Sequence, residues 1–190
     1  MTFNISGNKK DDKGLVYYTP GEDNSPNNRR GKNNMYERET TPPHVYAWLL
    51  TDMLSNDYVD LTGNGPSPDD LGSYTRFNYS CANQNYQWRL PVQKDSALFK
   101  EGVKHDKEDD VAYYSYGAKE LWYIHSIETK NYIAEFTYTD RDDAVGVLGE
   151  NGGLDTRQRM KKLDKIELYT KASSLERNPV PLKTVHFVYD

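Results

Sequence analysis

A chain of 190 residues with net charge −5 at pH 7 and 36% hydrophobic residues has room for one domain, or one domain plus an irregular arm, around a modest core. Its longest basic cluster is Arg29-Arg30-Gly31-Lys32, so it lacks the basic face that displaces counterions from phosphates, and nucleic acid and anionic membrane are poor expected partners. No apolar run approaches the roughly 18 residues of a membrane span, and the single Cys81 rules out an internal disulfide.

Residues 1–43 are rich in Asn, Asp, Lys, Gly and Pro and read as an irregular polar arm, with strand character only at Gly14 to Thr19. Gly21 to Lys32 reads as a mobile loop, and Thr41-Pro42-Pro43 closes the arm. Residues 44–190 read as one β domain. Its most apolar run, Val45 to Leu54, does not settle its period; a strand is preferred over a short helix. Ser73 to Ser80 and Tyr86 to Leu90 read as strands, the second stopped by Pro91. Residues 94–110 are charged, and Lys104 to Asp110 reads as a solvated loop; Val111 to Tyr116 returns to strand.

Two hairpins then share a pattern. Leu121 to Thr129 is followed by Tyr132 to Asp140 across a tight Lys130-Asn131 turn. Leu163 to Tyr169 is followed, after a longer connection, by Lys183 to Asp190. Each first strand holds an Ile-Glu pair (Ile127-Glu128, Ile166-Glu167). Each second strand alternates toward a tyrosine, with Ala134, Phe136 and Tyr138 matching Val185, Phe187 and Tyr189. Asp140 to Arg159, with four glycines, reads as a loop or long excursion. The expected fold is mostly β: antiparallel hairpins in a β-sandwich or an open, shell-like sheet.

These residues carry a resemblance. Ile124 to Glu128 with Phe136-Thr137-Tyr138-Thr139-Asp140, and Leu163 to Glu167 with Phe187-Val188-Tyr189-Asp190, resemble the strand pairs of Rhs/YD-repeat proteins and of SpvB-like toxin-complex B components. The resemblance covers residues 120–190 and implies a non-enzymatic scaffold within a larger secreted or surface protein. The rest of the parent polypeptide is then the first expected partner. Both ends of the chain read as boundaries within that parent, the second inside a strand.

Asp60, Thr62 and Asn64, followed by Gly65, open a loop that Asp69 or Asp70 can close. Calcium takes oxygen ligands from short side chains on such a tightly turned loop, and this one resembles the Asp-rich loops of FG-GAP/VCBS-type repeats. A metal-free turn, bonded by its own Asx side chains, is the alternative. Trp48, Trp88 and Trp122, with Tyr113, Tyr114, Tyr116 and Tyr123, form a candidate platform for a glycan or protein ligand, with Trp88, Trp122 and Tyr123 foremost, against the commoner fate of core packing. His44, His105, His125 and His186 are scattered; His125 and His186 hold similar places in the two hairpins. The acids Asp106, Glu108, Asp109, Asp110, Asp140, Asp142 and Asp143 suit solvated loops better than the fixed carboxylate pair of a glycosidase. No nucleophile elbow, phosphate loop or zinc signature is present, and no catalysis is expected.

Overall fold

The computed structural model describes residues 1–6, 14–31, 33–99 and 110–189. Among these the chain is predominantly β. It forms β1 (Thr2–Asn4), β2 (Leu15–Tyr17), β3 (Tyr36–Glu37), β4 (Asp52–Leu54), β5 (Tyr74–Leu90), β6 (Ser96–Phe99), β7 (Val111–Tyr113), β8 (Ser115–Glu128), β9 (Tyr132–Val147), β10 (Leu154–Thr170) and β11 (Lys183–His186). One helical turn, α1 (Lys171–Ser174), follows β10 and is capped by the Thr170 side chain. The strands build two antiparallel sheets, ordered β2-β6-β7-β1-β3 and β11-β10-β9-β8-β5-β4, and neither closes into a barrel.

The chain divides into two compact units. The first holds Met1–Pro43, Asn85–Lys119 and Asp142–Arg159; the second holds His44–Gln84, Glu120–Arg141 and Met160–Asp190. Strands β5, β8, β9 and β10 contribute residues to both.

In the first unit the short strands of residues 1–37 matter more than their length suggests. Thr2 pairs with both Glu37 and Tyr113, and Leu15 pairs with Leu98. Phe3, Ile5, Val16 and Tyr18 thereby meet Ala97, Phe99, Ala112 and Tyr114 in the apolar core. Phe3 packs edge-on to Tyr18 and Tyr114 at 5.1 and 5.7 Å between ring centroids, and those two tyrosines stack at 5.9 Å. Gly21 to Gly31 is held rather than loose. Asp23 is fully buried, accepting from Thr19 N at 2.8 Å and Ser6 Oγ at 2.9 Å, and buried Asn28 donates to the carbonyls of Asn4 and Asp23.

Within the charged stretch of residues 94–110 the sequence did not single out a strand, but Ser96–Phe99 forms one, with Ser96, Ala97 and Phe99 buried. Residues 104–109, including His105, Asp106, Glu108 and Asp109, lie outside the described residues, as do Lys32 and Asp190. The expected excursion from Asp140 to Arg159 is instead the continuation of β9 to Val147, a turn, and the start of β10 at Leu154. Gly152 makes that turn at φ +78, and a Cβ there would stand 2.4 Å from the Gln93 carbonyl oxygen.

The two expected strands at 73–80 and 86–90 prove to be parts of one, β5, which runs through the polar Cys81 to Asn85 stretch and stops before Pro91. Its centre has weak strand propensity and is carried by the ladder around it. Cys81 is half-buried on it. The apolar run at 45–54 forms a strand only at β4; Val45, Tyr46, Leu49, Leu50, Met53 and Leu54 are exposed, and Trp48 is 90% exposed.

Both C-terminal hairpins form, and their registers coincide. Ile127 faces Ala134 in β8–β9, and Ile166 faces Val185 in β10–β11. The tyrosines match too: Tyr138 donates its hydroxyl to the Ile124 carbonyl at 2.8 Å, and Tyr189 donates to the Leu163 carbonyl at 2.8 Å. Counting along each ladder, both acceptors lie one residue beyond the position opposite the tyrosine.

Candidate functional site

The loop of residues 55–73 joins β4 to β5 and is pinched by pairing of Val59 with Leu71. Gly72, at φ +72, packs so tightly that a Cβ would lie 2.7 Å from the backbone of Asp57 and Tyr58. Asp60 Oδ1 accepts from Thr62 N at 3.1 Å and Gly63 N at 2.6 Å, and its Oδ2 accepts from Gly65 N at 2.9 Å. Asp70 is buried; it accepts from Leu61 N at 3.0 Å, Ser67 N at 2.8 Å and Tyr58 Oη at 2.9 Å. Partial burial and the Asp70 carboxylate push the Tyr58 hydroxyl up to about 12. Asp69 accepts from Ser67 Oγ at 2.5 Å, while Thr62 and Asn64 are exposed.

Every carboxylate oxygen of Asp60 and Asp70 therefore already takes at least one proton donor from the loop itself. This is the self-bonded Asx arrangement.

The candidate platform residues stand in different local settings. Trp122 and Tyr123 are neighbours on β8 and point to opposite faces of the sheet. Tyr123 is occupied: its ring lies 5.2 Å from that of Tyr138, and its hydroxyl accepts from Lys161 N at 2.9 Å. Trp122 is 47% exposed and donates its indole N–H to Glu120 at 2.7 Å. Trp88 belongs to the first unit and lies against Gly117, where a Cβ would come within 2.9 Å of the indole ring. Its ring packs on backbone in the way a missing side chain would.

His125 and His186 sit on β8 and β11 with two strands between them, about 14 Å apart at ordinary strand spacing. They share no metal site. Among the described residues no group of three or more His, Cys, Asp or Glu is placed to hold a metal ion. Asp140 pairs with Lys161, and Asp142 pairs with Arg159 at 2.6 Å, as solvated acids on strands.

Two polar clusters were not legible in advance. In the first unit Arg89 is 3% exposed. Its guanidinium donates to the carbonyls of Glu150 at 2.7 Å, Ser96 at 2.6 Å and Pro91, and to Tyr18 Oη at 3.1 Å. It also lies over the Tyr114 ring at 4.2 Å. Burial raises the Tyr114 hydroxyl well above its usual value, and its bond to Glu150 adds to this.

In the second unit Glu128 stands between two nitrogens. Its Oε2 is 3.0 Å from Lys171 Nζ, and its Oε1 accepts from Asn78 Nδ2 at 2.5 Å. Asn78 also donates to buried Ser126 at 3.0 Å, and Lys171 to the Tyr74 hydroxyl at 3.1 Å. Burial works to raise the Glu128 carboxyl, but Lys171 and Asn78 outweigh it and hold it below the ordinary value. Burial likewise works to lower Lys171, and Tyr74 and Glu128 outweigh it and raise it. The only sequence signal for this cluster was the Ile127-Glu128 pair of the hairpin pattern.

No family model, curated protein or solved structure matches the chain. Among the described residues no helix is long and apolar enough to cross a membrane, which says nothing of a β-barrel.

Proposed function

We propose that this chain is a non-catalytic structural β segment of a large secreted or surface protein of the Rhs/toxin-complex kind. The observation that carries the reading is the pair of consecutive hairpins, β8–β9 and β10–β11, with the same register and the same tyrosine-to-carbonyl bond, side by side in one sheet. A unit that repeats in this way cannot bury its own face and depends on its neighbours for a core. The second unit behaves accordingly. Its outermost strands, β4 and β11, carry exposed Met53, Leu54 and Val185, and few of its side chains are fully buried. Further hairpins added at these edges would supply the missing pairing and cover.

The test is amide hydrogen exchange at β4 and β11, measured in the 190-residue chain and in the full gene product. Slower exchange in the full product is the expected result. Equal, fast exchange in both, or a gene product with no further strand to add, overturns the reading.

A binding module for a glycan or protein is the second reading. The exposure of Trp48 and Trp122 favours it. A glycan array without hits, and no loss of partner capture in Trp122→Ala, would remove it.

A further inference from the structure

The geometry points to an intramolecular amide cross-link between Lys171 and Asn78, formed by the protein itself with Glu128 as the proton relay. The three side chains come from β5, the end of β8 and the start of α1, so nothing in the local chain forces them together. The two oxygens of one carboxylate divide between the two nitrogens that an amide exchange needs. Oε2 holds the prospective nucleophile, Lys171 Nζ, at 3.0 Å, and Oε1 holds the prospective leaving group, Asn78 Nδ2, at 2.5 Å. The Lys171 and Glu128 side chains are only 24% and 25% exposed, which limits competition from water. Ser126 and Tyr74 bond the outer ends of the chain of contacts and fix both partners.

The step balances without a co-reactant. Nζ passes a proton to Glu128 and attacks Asn78 Cγ. The Cγ–Nδ2 bond breaks as the Cγ–Nζ amide forms, Glu128 returns that proton to the departing nitrogen, and the second proton that Nζ sheds passes through the same carboxylate, so the nitrogen leaves as ammonium. One amide replaces another, with no change in oxidation state. The ion pair keeps Lys171 an ammonium at neutral pH, so the bond forms through the minor neutral pair and accumulates slowly in the folded protein. The product ties β5 to the corner after β10, closing a loop of about 90 residues, a length at which a cross-link strongly restricts the unfolded chain.

The experiment is intact-mass spectrometry of the aged, folded 190-residue chain under denaturing conditions, with peptide mapping across residues 78 and 171. The expected result is a mass lower by one ammonia and a branched peptide joining the two positions. Both should be lost in Lys171→Arg and in Asn78→Ala. Glu128→Gln, checked for native circular dichroism, should form the bond at least tenfold more slowly. A folded wild-type chain that keeps its full mass overturns the proposal. So does an ammonia loss that persists in Lys171→Arg, which would come from succinimide at Asn64-Gly65 or Asn151-Gly152.

Discussion

The two units solve the same problem differently. The first closes a small apolar core between strands only two to four residues long, and then seals it with a buried guanidinium that makes four bonds to oxygen. The second spreads long strands into a sheet with regular hairpin registers, yet leaves Trp48, Met53, Leu54 and Val185 outside. Regular local pairing and burial are thus separable: the irregular unit is the better packed, and the regular one has the apolar surface to spare.

The contrast predicts where substitutions hurt. Arg89→Ala should have the largest effect. It leaves three carbonyls and the Tyr18 hydroxyl without their donor in a buried site and removes the contact over Tyr114, a loss of about 4 kcal/mol by the usual cost of buried unsatisfied groups. Urea unfolding measures it. A loss under about 1 kcal/mol would mean the first unit does not depend on this seal. Gly72→Ala comes next, at about 2–3 kcal/mol, because the new Cβ meets backbone at a positive φ that L-residues rarely adopt. It should be read in the second unit, by loss of exchange protection in β4 and β5.

Asp60→Ala takes an acceptor from three backbone N–H groups and should cost about 1–2 kcal/mol. The same loss is expected in calcium and in chelator, since the bonds removed are to the loop's own amides. A wild-type melting midpoint that rises in calcium, with the rise abolished in Asp60→Ala, would make the loop a metal site instead.

Acid should weaken the second unit through Glu128. Its carboxyl is held below the ordinary value, so its contribution is present above the unfolded value of about 4.3 and is lost as pH falls through the lower folded value. The stability difference between Lys171→Arg and its Glu128→Gln double variant should therefore be constant near neutrality and shrink below pH 4. A difference that persists at pH 2 would mean that charge is not what the pair contributes.

The same contrast explains what the sequence could and could not say. The hairpins were legible because Ala134, Phe136 and Tyr138, and Val185, Phe187 and Tyr189, alternate over enough residues to fix a register. Of the first unit's short strands β2 and β7 were legible, and β1 and β3 were not, because they are too short to show a period. Phe3 finds two of its partners more than a hundred residues away, at Ala112 and Tyr114. Arg89 reads as a surface residue by type, and only the tertiary arrangement of four oxygens around it makes burial tolerable. Asp60 and Asp70 were picked out as candidate calcium ligands, but type and spacing could not show that their oxygens accept from the loop's own amides.

The smallest effect is expected where the most conspicuous side chain stands. Trp48→Ser should leave stability within about 0.5 kcal/mol of the wild type, because a ring already in water has little burial to lose. What should change is association: light scattering of concentrated protein should fall if exposed apolar residues of the second unit draw chains together. A clear loss of stability would instead mean that Trp48 is buried in solution. The second unit would then have a closed face of its own, and the difference between the two units would disappear.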